Sequence, residues 1–507
     1  MPGPKMVVFI HGWSVKNTDT YGQLPDRLKI EASAVGLDVD VTHVYLSKYV
    51  SFRDEVRVED IALGLEVAVR SEPDLTTAID AGTKLVFITH STGGPVAREW
   101  WHRFYVKKKR CPMSHLIMLA PANFGSALAR LGKSTVSRLK SWTEGVQPGQ
   151  GVLDWLELGS PGSWDLNESW IRQQPDWMAS NAEPEHQIFQ FVLTGQRIDR
   201  AFYDHVNSYT GETGSDGVVR VASANLNATY VKLTQKHFDA NGEGPGWRST
   251  VLKQTFSKTA PETAFLIVPK KSHAGEKTGI QRSVGLDGEH DTVSAIIKCL
   301  QVNNDVEYKN LTEDFKVATG ITQSEEKSET VDRFLLPDQT ITHPATTQVI
   351  VNLTDNNGHP LLDFDFLLTA WDPDAINPEH RTPSPDRLPS GFLLDVQRNL
   401  HHPNRLTFYL NHDKLIQTPC LGIEIRPRPE PAMNSAADED YFVHFLSVSF
   451  GTETKNILGL LKPNATLLLD IEMLRVVRQG ILRLTTETTP VDFTHDGPDD
   501  AVASPGT

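Results

Sequence analysis

One serine, one aspartate and one histidine stand where this sequence could assemble nucleophilic catalysis. Ser91 lies in Thr89-His90-Ser91-Thr92-Gly93-Gly94, between a run of β-formers, Leu85 to Ile88, and a helix-like run from Pro95 to Tyr105. A strand, a sharp turn presenting one serine, and a helix pointing its N-terminus back make a nucleophile elbow, which needs small residues two before and two after the serine. Gly93 fills the second of these places, while Thr89, small but not glycine, fills the first. A serine hydroxyl is a poor nucleophile at neutral pH; it needs a base, an acid to orient that base, and donors for the oxyanion. Asp216, in Gly214-Ser215-Asp216-Gly217-Val218-Val219, is positioned like the acid, with Asp204 and Asp199 in reserve on the same loop. His273, in Lys270-Lys271-Ser272-His273-Ala274-Gly275, directly follows a short strand and is the candidate base. Its rival is His290, in Glu289-His290-Asp291, ahead of a helix.

Donors for the oxyanion have a candidate too. The apolar segment Met6 to Ile10 ends in His11-Gly12-Trp13-Ser14. Gly12 permits a tight turn, which aims the Trp13 N–H at a developing charge, and His11 is a structural part of that turn. Oxyanion turn, Ser91, Asp216 and His273 each follow a strand-like run, in the Ser, Asp, His chain order of one hydrolase fold. Ligands of parallel sheets gather at that carboxyl edge.

The elements that must position these residues follow from periodicity. Strand-like runs (Met6–Ile10, Leu37–Leu46, Leu85–Ile88, His115–Ala120, His186–Leu193, Phe265–Val268) alternate with helical ones (Tyr21–Val35, Val56–Ile79 with a break near Pro73, Thr292–Leu300). Such alternation indicates a parallel sheet covered on both faces, here over residues 1–301. An irregular insertion over about 126–184 holds Trp155, Trp164, Trp170 and Trp177; it reads equally as a lid with an apolar surface for an acyl chain or as a small core of its own. The segment ending near Thr259 carries no legible pattern. Residues 302–344 read as a polar connector, with a charged helical stretch from Val306 to Glu329. From 345 to 490 the apolar period becomes two, with turn signals between short runs, which predicts a β-sandwich. The tail, 491–507, reads as disordered.

Composition excludes several classes. A net charge of −15 over 507 residues argues against nucleic acid as a partner and against strong attraction to anionic lipid. The dense basic run Lys107-Lys108-Lys109-Arg110 closes a helix, where cations complement the dipole. Three separated cysteines, Cys111, Cys299 and Cys420, match no metal or redox spacing and suit a reducing compartment. Asp372, Asp374 and His401-His402 read as solvated loops, so neither a metal nor a cofactor is expected. No apolar run reaches the roughly 18 to 20 residues that span a bilayer, and the apolar segment Met6 to Ile10 lacks the length and the cleavage site of a signal peptide. The expectation is a cytoplasmic protein, or an effector exported by a non-classical route, with its oligomeric state undetermined.

The segments FIHGW, THSTGG, LAPANFGS, GSDGVV and SHAGEKTGI resemble those of α/β-hydrolases, in particular bacterial lipases and phospholipases. The resemblance covers the first 300 residues or so. It implies Ser91 as nucleophile, Asp216 as acid and His273 as base, with the N–H groups of Trp13 and Thr92 as oxyanion hole. It also implies a lipid or phospholipid ester as substrate; the β-sandwich expected over 345–490, like the lipid-binding modules of several lipases only in general architecture, is the expected source of peripheral membrane contact. A soluble esterase, thioesterase or amidase, and a non-catalytic binding protein on the same fold, are the competing expectations.

Overall fold

The computed structural model describes residues 4–10, 21–44, 54–129, 149–173, 186–198, 213–237, 248–333, 336–428 and 443–477. The chain begins with β1 (Lys5–Ile10), α1 (Leu24–Ala34) and β2 (Val39–Val44). Then come α2 (Val58–Ser71) and α3 (Pro73–Asp80), separated at Pro73, which opens α3 where a missing N–H costs nothing. β3 (Leu85–His90), α4 (Gly93–Phe104) and β4 (Met113–Leu119) follow. The insertion contributes α5 (Gln150–Leu156) and α6 (Pro161–Gln173) before β5 (Phe189–Thr194). β6 (Thr229–His237) and β7 (Arg248–Thr259) leave for a second sheet, and β8 (Ala264–Ile267) returns to the first.

The first sheet has the order β2-β1-β3-β4-β5-β8, with every neighbouring pair parallel. Parallel strands covered on both faces read as unbroken apolar runs, and β3 and β5 are buried at every residue. Alternate side chains feed two cores. Val8, Ile10, Phe87 and Leu116 pack with Ile61 and Leu65 of α2 and Trp100 of α4. Val7, Phe9, Ile88 and Phe191 pack with Leu24 of α1 on the opposite face. Each fully buried side chain of this kind stabilises the fold by about 1.5–3 kcal/mol.

α7 (Asp291–Gln301) and α8 (Asp305–Glu325) complete that second face. Asn304 caps α8 by accepting from the N–H groups of Val306 and Glu307. α8 also covers the sheet edge: Tyr308 Oη and Thr319 Oγ1 each accept a strand N–H of β8, from Ala264 and Ile267, at 3.1 Å. The charged helical stretch expected to reach Glu329 stops at Glu325. A hairpin of β9 (Ser328–Arg333) and β10 (Leu336–Thr342) follows.

Beyond it run β11 (Thr346–Asp355), β12 (Phe364–Trp371), β13 (Leu393–Arg398), β14 (Arg405–Asn411), β15 (Cys420–Pro427), the short β16 (Val443–His444), β17 (Val448–Glu453), β18 (Ala465–Met473) and the short β19 (Val476–Val477). The β-sandwich expected over 345–490 meets a single nine-stranded mixed sheet, β12-β15-β17-β7-β6-β18-β11-β14-β13. The segment without legible pattern is β6 and β7, whose Val231, Leu233 and Leu252 pack with Val349, Leu467 and Leu469. The two sheets therefore divide the chain differently from a single cut at residue 301.

Within the insertion, Trp155, Trp164 and Trp170 are buried in the first core, and Trp170 meets Trp101 edge-on at 5.3 Å. No described tryptophan of this segment is left for an exposed lid surface. Trp177, the remainder of the insertion outside 149–173 and the tail 491–507 lie outside the described residues. Among the described residues, no helix is long and apolar enough to cross a membrane.

Candidate active site

β3 ends at His90 and α4 begins at Gly93, so two residues reverse the chain. Ser91 does this with φ of 54°, the left-handed region that costs a non-glycine residue on the order of 1–3 kcal/mol. Backbone bonds hold it there. Ser91 N–H donates to Leu119 O at 3.0 Å, and Ser91 O accepts from Gly94 N at 3.2 Å and Ala122 N at 3.4 Å. The close approach falls chiefly on Gly94, where a Cβ would stand 2.9 Å from Pro121 Cβ. Thr89, in place of the usual glycine, is fully buried in β3 and paired with Ile10 and Met118.

His273 Nε2 lies 3.1 Å from Ser91 Oγ, and Nδ1 lies 2.9 Å from Asp216 Oδ2. The carboxylate only accepts, so Nδ1 donates to Asp216 and Nε2 is free to accept from the serine. Asp216 is fully buried, and its Oδ1 accepts from the N–H groups of Val218 at 3.0 Å and Val219 at 2.8 Å. These bonds keep a buried carboxylate satisfied and fix its direction. The main chain joins the pair as well, His273 N–H donating to Asp216 O at 2.9 Å. Thr92, the residue after Ser91, stands at the N-terminus of α4, where N–H groups and the helix dipole favour negative charge.

A buried polar network joins α4, the loop after β4 and α6. Arg98 of α4 donates to Asn123 Oδ1 at 3.2 Å and to Asn167 Oδ1 of α6 at 2.9 Å, with its guanidinium 4.5 Å from the Trp170 ring centre. Burial pushes the Arg98 guanidinium down to about 9. Asn123 Nδ2 donates to Ala224 O at 2.7 Å, and Phe124 N to Ser223 O at 2.9 Å. The loop after β4 is thus tied to the segment that carries Asp216.

The structure brings Ser91, His273 and Asp216 together and keeps His290 apart. His290 Nε2 sits 2.9 Å from Asp287 O, in the turn that leads into α7. His11, Gly12, Trp13, Asp199 and Asp204 lie outside the described residues. Two contributors carry no local sequence signal. A Cβ on Gly195 would stand 1.9 Å from Lys271 O, so this glycine lets the His273 segment lie against the end of β5. Gln281, the residue that follows SHAGEKTGI and lies outside that motif, reaches His90 Nδ1 at 3.4 Å. Among the described residues, no group of three or more His, Cys, Asp or Glu side chains is arranged to hold a metal ion.

The arrangement can pass a proton from Ser91 Oγ to His273 Nε2 while Asp216 steadies the ring. Over almost its whole length the chain is similar to phospholipase PlaB from Legionella pneumophila, with 37% identity, 96% of this chain and 98% of that chain covered, and a TM-score of 0.82. The same phospholipase in complex with thio-NAD matches at 36% identity over the same shares, with a TM-score of 0.81. A Bacillus licheniformis lipase in mature form matches 44% of this chain and 80% of its own at 19% identity, with a TM-score of 0.32. No protein-family model and no curated protein matches the chain.

Proposed function

The chain belongs to the α/β-hydrolase family of the Legionella pneumophila phospholipase, and from that premise we propose that it hydrolyses lipid esters, phospholipids among them, through Ser91. In this reading His273 takes the Ser91 proton as Oγ attacks the ester carbonyl. The N–H groups of Thr92 and Trp13 hold the oxyanion, and Asp216 stabilises the imidazolium. Collapse of the tetrahedral intermediate expels the alcohol, which leaves with the proton from His273. Water, deprotonated by His273, then attacks the acyl-enzyme; the fatty acid departs and Ser91 regains its proton.

The observation that carries the chemistry is the His273 ring, with one nitrogen 3.1 Å from Ser91 Oγ and the other 2.9 Å from Asp216 Oδ2. The substrate class rests on the likeness to the phospholipase. We further read the nine-stranded sheet as a sandwich closed around its own apolar core, since among the described residues one backbone pair, Ser449 with Val251, links its two halves.

The test is release of fatty acid from mixed phospholipid vesicles by the full-length chain and by Ser91→Ala. The variant should lose on the order of 10⁶ in turnover, as removal of a triad serine does elsewhere. Wild-type release by Ser91→Ala would sink the proposal. Comparing vesicles with a soluble short-chain ester measures how much the lipid surface contributes.

A further inference from the structure

Asp216 sits at the tip of a small hairpin whose base is held by the second sheet. Ser215 and Arg220 face one another as an antiparallel bridge, and Val221 N donates to Gly214 O at 2.9 Å. The Arg220 guanidinium lies 3.9 Å from the ring centre of Tyr409 on β14 and 3.1 Å from Asp395 Oδ2 on β13. Just beyond, Ser223 Oγ lies 2.9 Å from Tyr409 Oη and 3.0 Å from Gln348 Oε1 of β11. Thr466 Oγ1 of β18 donates to Ala222 O at 2.9 Å. Tyr409 is itself buried, in a cluster with Ala127 of the loop after β4 and Leu158 between α5 and α6. One side chain of the second sheet therefore touches the acid's hairpin and two segments of the first domain's loops at once.

A guanidinium can stack on a ring with its plane and meet a carboxylate with its edge, so it tolerates little displacement. Ser91 is fixed by the first sheet, through Leu119 O. Asp216 and His273 are tied to each other by main chain and side chain. A shift at Arg220 would carry the Asp216–His273 unit away from Ser91 rather than distort it internally.

We propose that Arg220 and Tyr409, with Asp395, form a positioning clamp through which the second sheet sets the Asp216–His273 unit against Ser91. Residues of the C-terminal half thereby govern turnover without touching substrate. The inference rests on the catalytic reading of Ser91, His273 and Asp216.

The experiment is steady-state hydrolysis of p-nitrophenyl butyrate by full-length Tyr409→Leu, Tyr409→Phe, Arg220→Lys and their combination, with folding followed by near-ultraviolet circular dichroism. Tyr409→Phe keeps a ring under Arg220 and should stay within about threefold of wild-type kcat. Tyr409→Leu and Arg220→Lys should each lose about 10- to 100-fold in kcat with KM within about twofold, since a misplacement near 1 Å costs on the order of 10²-fold. Tyr409→Leu combined with Arg220→Lys should be no worse than the poorer single variant, because both remove one contact. Wild-type kcat in Arg220→Lys, or a loss seen equally in Tyr409→Phe, would overturn the clamp. Arg220→Lys decides alone if Tyr409→Leu does not fold. Ser91→Ala is run beside them: its retention of activity would place the failure in the reading of the site, and its inactivity beside an unaffected Arg220→Lys would place it in the clamp.

Discussion

His90 and His273 face one another with ring centres 4.8 Å apart, and Nε2 of His90 lies 3.0 Å from the main-chain oxygen of His273. A carbonyl only accepts, so His90 carries its proton on Nε2, and its Nδ1 accepts from the Gln281 amide. The residue before Ser91 thus steadies the backbone of His273. His90→Ala should lower kcat about tenfold on a soluble ester with little change in KM, the mark of lost positioning rather than lost binding. An unchanged kcat would show that the contact is idle.

Asp216→Asn separates charge from shape. The amide oxygen can still accept from Val218 and Val219, so the hairpin should fold and the melting temperature should stay within a few degrees of wild type. The amide cannot stabilise the imidazolium or favour the Nδ1–H tautomer. kcat should therefore fall by about 10⁴, the magnitude known for this replacement in a serine-protease triad.

Gly195→Ala tests a close approach that no motif contains. The new Cβ would meet Lys271 O at 1.9 Å and Lys271 C at 2.4 Å, so backbone must move on one side. That movement lies two residues from His273. Stability, read from the urea midpoint, should drop by about 1–3 kcal/mol, and activity should fall further than stability alone accounts for.

His115 makes acid stability measurable at a single residue. Burial, aided by Lys5, pushes its imidazole down to about 3, while Nε2 stays 2.8 Å from Val302 O and Nδ1 lies 2.9 Å from Ser114 Oγ. An unfolded chain protonates this ring near 6.5 and the folded one only near 3. Between those values the unfolded state binds the extra proton, so folding stability falls as pH falls, by about 1.4 kcal/mol per pH unit from this group. His115→Gln, which offers Val302 O a donor without titrating, should flatten that slope in urea titrations between pH 6 and 4. An unchanged slope would contradict the assignment.

The sequence made legible what is locally encoded. β3, β4 and β5 stand out because strands buried on both faces are written as continuous apolar runs. Ser91, Asp216 and His273 stand out because each follows such a run, or a turn of small residues, at the sheet's carboxyl edge. β6 and β7 did not stand out, since their partners β18 and β17 come from the far end of the chain. Whether Trp155, Trp164 and Trp170 face solvent or core was not encoded in their spacing; their neighbours Trp101 and Arg98 decide it. Gly195 and Tyr409 are likewise ordinary residues until Lys271 and Arg220 are brought beside them.

The parallel pairing of Thr229 with Leu467 has a consequence in time. A ribosome adding about 5–20 residues per second completes β18 roughly 10–50 s after β6 has emerged. During that interval β6 lacks one of its two neighbours, and the hairpin of Asp216 lacks Tyr409 and Asp395. A nascent chain that already holds Ser91, Asp216 and His273 should therefore reach its full turnover only after β13, β14 and β18 have been made.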